Sequence, residues 1–214
     1  RDRAHGPHRG DVMTTLSWPA FSIDPTRTEW WLETLTQEHR SPLTGAVQTQ
    51  ELLGARWSTR VEYHNLGEAD ARLAWAFIGS MRGRAGRVYV PNFGRPTPKG
   101  IGGGTPVVSG AGQTGSTLNV TGGPLTTSGW LVAGDLIGVN GTLHLLTAAA
   151  NTDGSGNSAL AIAPPLRTSP ADAATITLER PTLTCMLNSD RNGWTYEPAG
   201  MGRHTFVFDL VEVF

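Results

Sequence analysis

The side chains best suited to proton transfer or metal ligation in the body of this chain are His39, His64, His144 and His204, and their positions are scattered with no ligand-like spacing. The single cysteine, Cys185, has no intrachain disulfide partner. It lies in the apolar run Leu183-Thr184-Cys185-Met186-Leu187 and reads as a small buried hydrophobe, not a nucleophile. Two carboxylates facing one another could drive glycoside hydrolysis, but Asp135, Asp153 and Asp172 each adjoin turn residues, where Asp is expected on conformational grounds. Asp153-Gly154-Ser155-Gly156-Asn157 opens like a calcium loop but lacks the terminal bidentate glutamate, so a hairpin turn is expected. Gly102-Gly103-Gly104 has the glycine content of a phosphate loop without its lysine or following helix, and reads as a hinge. Val108-Ser109-Gly110 is not followed by a helix, which removes the nucleophile-elbow context. The expectation is a non-enzymatic chain with no catalytic, cofactor-binding or metal-binding residues.

The seven tryptophans are the other chemically distinctive group. Trp30, Trp31, Trp57 and Trp75 read as core or subunit contacts. Trp130 and Trp194 adjoin glycines and read as candidate exposed aromatics, able to stack on a sugar ring.

These residues must be positioned by mostly extended elements. Arg56–Tyr63 alternates cleanly: Trp57, Thr59, Val61 and Tyr63 share one face, and Arg56, Ser58, Arg60 and Glu62 the other. Thr15–Phe21 is a candidate first strand ended by Pro19, and Thr28–Thr36 a strand covered on both faces. After the Ser41–Gly45 turn, Ala46–Leu53 is extended and Gly54 punctuates it. One strong helix spans 66–82, with Asn65 and Glu68 as a capping box and Leu66, Ala69, Leu73, Ala76, Phe77 and Ser80 as its buried stripe. Arg87–Val90 returns as a strand. From Gly100 to Arg180 the composition turns Gly- and Thr-rich, with short strands expected at Thr105–Ser109, Thr117–Val120, Trp130–Val139, Thr142–Thr147, Ala159–Ala163 and Ala174–Leu178. Asn140-Gly141 marks a tight hairpin. Leu183–Leu187 and His204–Phe214 close the chain as strands.

The expected architecture is therefore mainly β: a β-sandwich with one flanking helix, built from 13–99 and 181–214 and interrupted at 100–180 by a small β-barrel or sandwich. Residues 1–12, including His5, His8 and the tripeptide Arg9-Gly10-Asp11, read as a disordered or extended N-terminal segment before Met13. Charged residues are only 16% of the chain and the formal net charge is −1, so the clustered basic face of a nucleic-acid binder is not indicated. No stretch approaches a membrane span and no signal peptide is visible, so folding in the cytoplasm is expected. Low charge with many tryptophans points towards a surface buried by other subunits.

The order of Ser41–Gly45, Ala55–Tyr63, Gly67–Arg82, Arg87–Phe93 and Phe206–Phe214 resembles the distal tail proteins and related minor tail proteins of long, flexible-tailed bacteriophages. Ala133–Gly141 and Ala163–Arg167 are similar to segments common in such phage proteins. The resemblance covers nearly everything after Met13, and its motifs are structural. It implies a virion protein of the tail tip, assembled in the host cytoplasm as a ring, usually a hexamer. Such a ring joins the tail tube protein to hub and baseplate proteins around a channel through which DNA passes. The insert would project outward and hold side fibres or a receptor-binding protein. The resemblance supplies no catalytic residue. Trp30, Trp31, Phe206 and Phe208 are the expected subunit-interface residues, and excision of 100–180 is expected to leave rings intact. The alternative is a carbohydrate-binding β-module in host-surface attachment, using Trp130 or Trp194.

Overall fold

The structure, a computed structural model, describes residues 14–198 and 203–214. The upstream segment with His5, His8 and Arg9-Gly10-Asp11 lies outside the described residues. Among the described residues the chain is mainly β, with one α-helix and two sheets.

The first sheet contains β1 (Thr15–Ser17), β2 (Arg27–Arg40), β3 (Val47–Leu66), β4 (Arg87–Pro91), β11 (Thr182–Leu187), β12 (Trp194–Glu197) and β13 (Arg203–Glu212). Its order is β1-β4-β11-β13-β3-β2, with β12 paired to the remaining length of β13. β11 and β13 thus lie between β4 and β3, elements from the first half of the chain. Phe208 sits opposite Val61, and Leu210 opposite Thr59. The alternation read at Trp57–Tyr63 is present: those four side chains are buried, and Arg56, Ser58, Arg60 and Glu62 face outward.

Helix α1 (Glu68–Met81) packs on the inner face of this sheet. It starts later than expected, because β3 continues through Leu66 and Asn65 turns the chain with a positive φ of 60° instead of capping. Gly67 is the N-cap, and Glu68 pairs with Arg72 and His204. The two-residue offset changes the buried stripe to Asp70, Ala71, Ala74, Phe77 and Met81, leaving Leu73 exposed. Asp70 is held by the backbone N–H and hydroxyl of Ser22. Gly86 closes the return to β4 because a Cβ there would stand 2.4 Å from the Met81 carbonyl oxygen. Trp18, Tyr63, Phe77 and Phe208 form a continuous aromatic core, with Trp18 to Phe77 and to Phe208 both at 5.5 Å. The Trp18 indole donates to the Tyr63 hydroxyl at 3.1 Å, and burial pushes the Tyr63 phenol up to about 12.

The second sheet lies wholly within the Gly- and Thr-rich stretch. It comprises β5 (Val107–Val108), β6 (Gly115–Thr121), β7 (Leu136–Val139), β8 (Thr142–Leu146), β9 (Ser158–Leu166) and β10 (Ile176–Thr177), in the order β10-β7-β8-β9-β6-β5. A bridge between Val107 and Thr175 almost closes it into a small barrel. Asn140-Gly141 makes the β7–β8 turn with φ of 50° and 76°, as the dipeptide implied. Strands expected at Trp130–Val139 and Thr105–Ser109 are shorter. Trp130 is wholly buried, and its indole donates to the Gly103 carbonyl at 3.1 Å. Gly104 passes so close to Gly122 that a Cβ would meet its carbonyl oxygen at 2.5 Å. Gly102–Gly104 therefore wraps the barrel core around Trp130; the expected hinge is corrected to a packed crossing.

β2 and β3 differ from expectation in length. They form one long hairpin in which Gly54 does not interrupt β3. Leu35–Arg40 pairs only with Val47–Leu52, extending about 20 Å at ~3.4 Å per residue beyond the part of the sheet backed by the helix.

Candidate functional site

Three places could do something beyond folding: the projecting hairpin, an aromatic shelf on β12, and the seam between the two sheets.

The hairpin is exposed along almost its whole distal length. Cross-strand register puts Leu35, Gln37 and His39 with Leu52, Gln50 and Gln48 on one uncharged face. Thr36, Glu38 and Arg40 share the other with Glu51, Thr49 and Val47. Leu43 at the tip is 95% exposed, and Leu53 is also open. Among the described residues β2 pairs only with β3, so the far edge of this fourteen-residue strand carries unpaired N–H and C=O groups. At the hairpin's base Trp31 is 47% exposed on the outer face. Trp30 points inward, its ring 6.4 Å from Trp57, and its indole N–H is buried without a partner among the described residues.

Phe206 and Phe208 are corrected from contact surface to interior. Both side chains of β13 point at the helix, and neither is exposed. Trp130 is likewise corrected from an exposed aromatic to a core residue of the barrel, because the glycines beside it let the backbone close over the ring. Trp194 is exposed as expected, at 49%. It lies on β12, a strand sequence reading missed, and packs on Trp75 at 5.3 Å and Phe206 at 6.1 Å. Tyr196, two residues on, stacks on His204 at 4.8 Å.

The seam is tightly built. Leu136 and Leu143 of the barrel belong to the hydrophobic core under the first sheet. The Trp57 indole donates to the Leu143 carbonyl at 2.8 Å, and the Thr184 N–H to the Gly141 carbonyl at 2.8 Å. Asp135, read from sequence as a turn residue, is a buried knot: its carboxylate accepts the N–H groups of Lys99 (2.7 Å), Gly100 (3.2 Å) and Val132 (2.8 Å) at the point where the chain enters the barrel. Arg167, leaving β9, crosses to the first sheet. It donates to the Ala55 carbonyl and to both oxygens of Glu212, whose carboxylate also accepts the Trp57 N–H at 2.9 Å. The Arg167 guanidinium lies 4.0 Å from the centroid of the Phe214 ring.

The groups weighed for catalysis are structurally engaged. The Asp153 carboxylate is filled by the Asn157 and Ser155 N–H groups and the Asn157 side-chain amide, so it closes a turn; the Asn157 backbone hydrogen bond is the largest influence lowering its pKa. Burial pushes the Cys185 thiol well above its ordinary range. Among the described residues no group of three or more His, Cys, Asp or Glu side chains is placed to hold a metal ion, and no helix is long and apolar enough to cross a membrane.

Among the described residues His144 is the one buried histidine with a resolved shift. Burial lowers it to about 4, opposed by its hydrogen bond with the Pro164 carbonyl at 2.9 Å. The folded value lies below the unfolded one, so the unfolded chain binds more protons as pH falls from about 6.5 to about 4. Stability should therefore be fully present above pH ~6.5 and decline by about 1.4 kcal/mol per pH unit towards pH ~4. A His144→Gln variant should show a flatter pH dependence of urea midpoint over that window; parallel curves would refute the assignment.

Compared with known proteins, the chain matches no protein-family model and no curated protein.

Proposed function

We propose that this chain is a structural, ring-forming subunit of a phage tail tip, of the distal tail type, placed between tail tube and hub and surrounding the DNA path. The observation that carries the reading is the bare two-stranded hairpin at Leu35–Leu52. A ribbon of two strands is marginal in water on its own, and this one carries Leu35, Leu43, Val47, Leu52 and Leu53 into solvent. Such a projection is sustained when a neighbouring subunit covers it. The long free edge of β2 and the exposed Trp31 lie on the same side of the sheet. A head-to-tail contact of this kind joins two different surfaces and closes into a ring when the rotation permits. Trp31 and the hairpin supply one of those surfaces.

Light scattering coupled to gel filtration should give a closed multimer, and negative-stain images should show rings of one symmetry. Leu43→Lys with Leu53→Lys should dissociate the ring at least tenfold more readily. Its unfolding free energy should stay within about 0.5 kcal/mol, because both side chains are exposed in the subunit. A wild-type protein that remains monomeric at all attainable concentrations would end the reading.

The second reading, a carbohydrate-binding module, is favoured by one observation. Trp194 and Tyr196 present adjacent half-exposed rings at the sheet margin, of the kind that stack on sugars.

A further inference from the structure

A pocket of about 450 Å³ opens at the seam between the barrel and the first sheet, within the size range of small-ligand sites. The barrel contributes the β7–β8 turn and the segment after β9. The first sheet contributes Arg87, Thr184 and the chain from Val213 to Phe214. Its walls are apolar at Val139, Leu166 and Pro170, and Thr142, Thr168, Ser169 and Thr184 also line it. The Thr142 and Ser169 hydroxyls donate to the Val139 and Pro170 carbonyls at 2.5 and 3.2 Å.

The charge in the pocket is one-sided. Two guanidinium groups line it, and no Asp or Glu among the described residues does. Arg167 is neutralised from behind by Glu212, so the uncompensated charge is that of Arg87. Arg87 is held in place: its Nη1 donates to the carbonyls of Arg84 (3.0 Å), Ala85 (3.1 Å) and Gly86 (2.9 Å) at the turn after α1. Its Nε and Nη2 have no acceptor among the described residues. A guanidinium fixed at one nitrogen and free at two presents the fork that carboxylates and phosphates accept in pairs. His144 is held through Nδ1 by the Pro164 carbonyl, and its ring also lines the pocket.

We infer that this pocket binds a small ligand with a compact oxyanion, carboxylate or phosphate, carried on an apolar body. The oxyanion pairs with Arg87 and takes a hydrogen bond from the Thr184 hydroxyl. The apolar body lies against Val139, Leu166 and Pro170. Because the walls come from both sheets, an occupant ties the barrel to the scaffold and stabilises the folded chain by mass action.

The test is titration of the full chain with phenyl phosphate, benzoate, benzyl alcohol and inorganic phosphate, followed by amide chemical shifts. Phenyl phosphate or benzoate should shift the amides of Gly141, Thr142, Ser169 and Thr184 in a saturable way. Which of the two binds tighter identifies the oxyanion. Benzyl alcohol should bind at least tenfold more weakly for want of the charge, and inorganic phosphate at least tenfold more weakly for want of the apolar body. Ser169→Phe, on a partly exposed loop, fills the pocket without touching either core and should abolish the shifts. Arg87→Met should weaken the anions to the level of benzyl alcohol; if it fails to fold, Ser169→Phe still decides. Equal binding of the neutral probe, shifts that survive in Ser169→Phe, or no saturable shift with either anion would overturn the inference.

Discussion

Arg167→Met should destabilise this protein by about 3–5 kcal/mol, the cost of leaving one member of a buried ion pair without its partner. The Glu212 side chain is wholly buried and that of Arg167 only 10% exposed, so the carboxylate has no water to fall back on once the guanidinium is gone. The methionine keeps much of the volume, and the loss is then electrostatic: Glu212 retains the Trp57 N–H but loses both hydrogen bonds from the guanidinium. The Ala55 carbonyl loses its donor as well. For a chain of this size the expected fall in Tm is roughly 6–20 °C. The double variant Arg167→Met, Glu212→Gln should recover at least half of the loss, since the neutral amide no longer needs a cation. A single variant within 1 kcal/mol of wild type, measured by urea unfolding, would show that water reaches Glu212 and that the pair does not hold the seam.

The legibility of this chain varied with the physical origin of each feature. Period-two alternation at Trp57–Tyr63 and the Asn140-Gly141 turn are local signals, and both elements are where the residues place them. The mainly β architecture with one helix was readable for the same reason. What escaped depended on partners distant in sequence. Arg167 and Glu212 are 45 residues apart, and nothing near either announces a buried pair. Asp135 looked like a turn residue because it is one; that its carboxylate also gathers N–H groups from Lys99 and Gly100 depends on where the chain crosses. Phe206 and Phe208 read as a contact surface because an aromatic strand looks the same whether its cover is a helix or another subunit. Trp130 reads as exposed because glycines adjoin it, when here glycines permit close backbone approach. Arg87, which the proposed anion site rests on, carries no motif; its role comes from the three carbonyls that fix it.

Excising residues 99–180 and joining Pro98 to Pro181 through two or three glycines should yield unfolded or aggregated protein, contrary to the expectation that the insert is dispensable. The geometry is not the obstacle. The Asn92 N–H donates to the Pro181 carbonyl, and the Arg180 N–H to the Pro96 carbonyl, so the two ends already meet and the closure costs little. The energetics oppose it. Leu136 and Leu143 leave the core beneath the first sheet, each removal comparable to a large-to-small substitution of about 2–5 kcal/mol. Arg167 leaves too, and the orphaned Glu212 adds a loss of the size argued above. Together these losses, about 7–15 kcal/mol, match the whole stability expected of a domain. The barrel taken alone should fare better. It keeps its own interior of Trp130, Leu131, Ile137, Val139, Leu146, Leu160 and Ile162, and a chain of 99–181 should give dispersed amide signals and cooperative unfolding. A soluble excised scaffold melting near the wild-type Tm would show that the first sheet carries its own core, and that the barrel is cargo instead of the cover over Trp57 and Glu212.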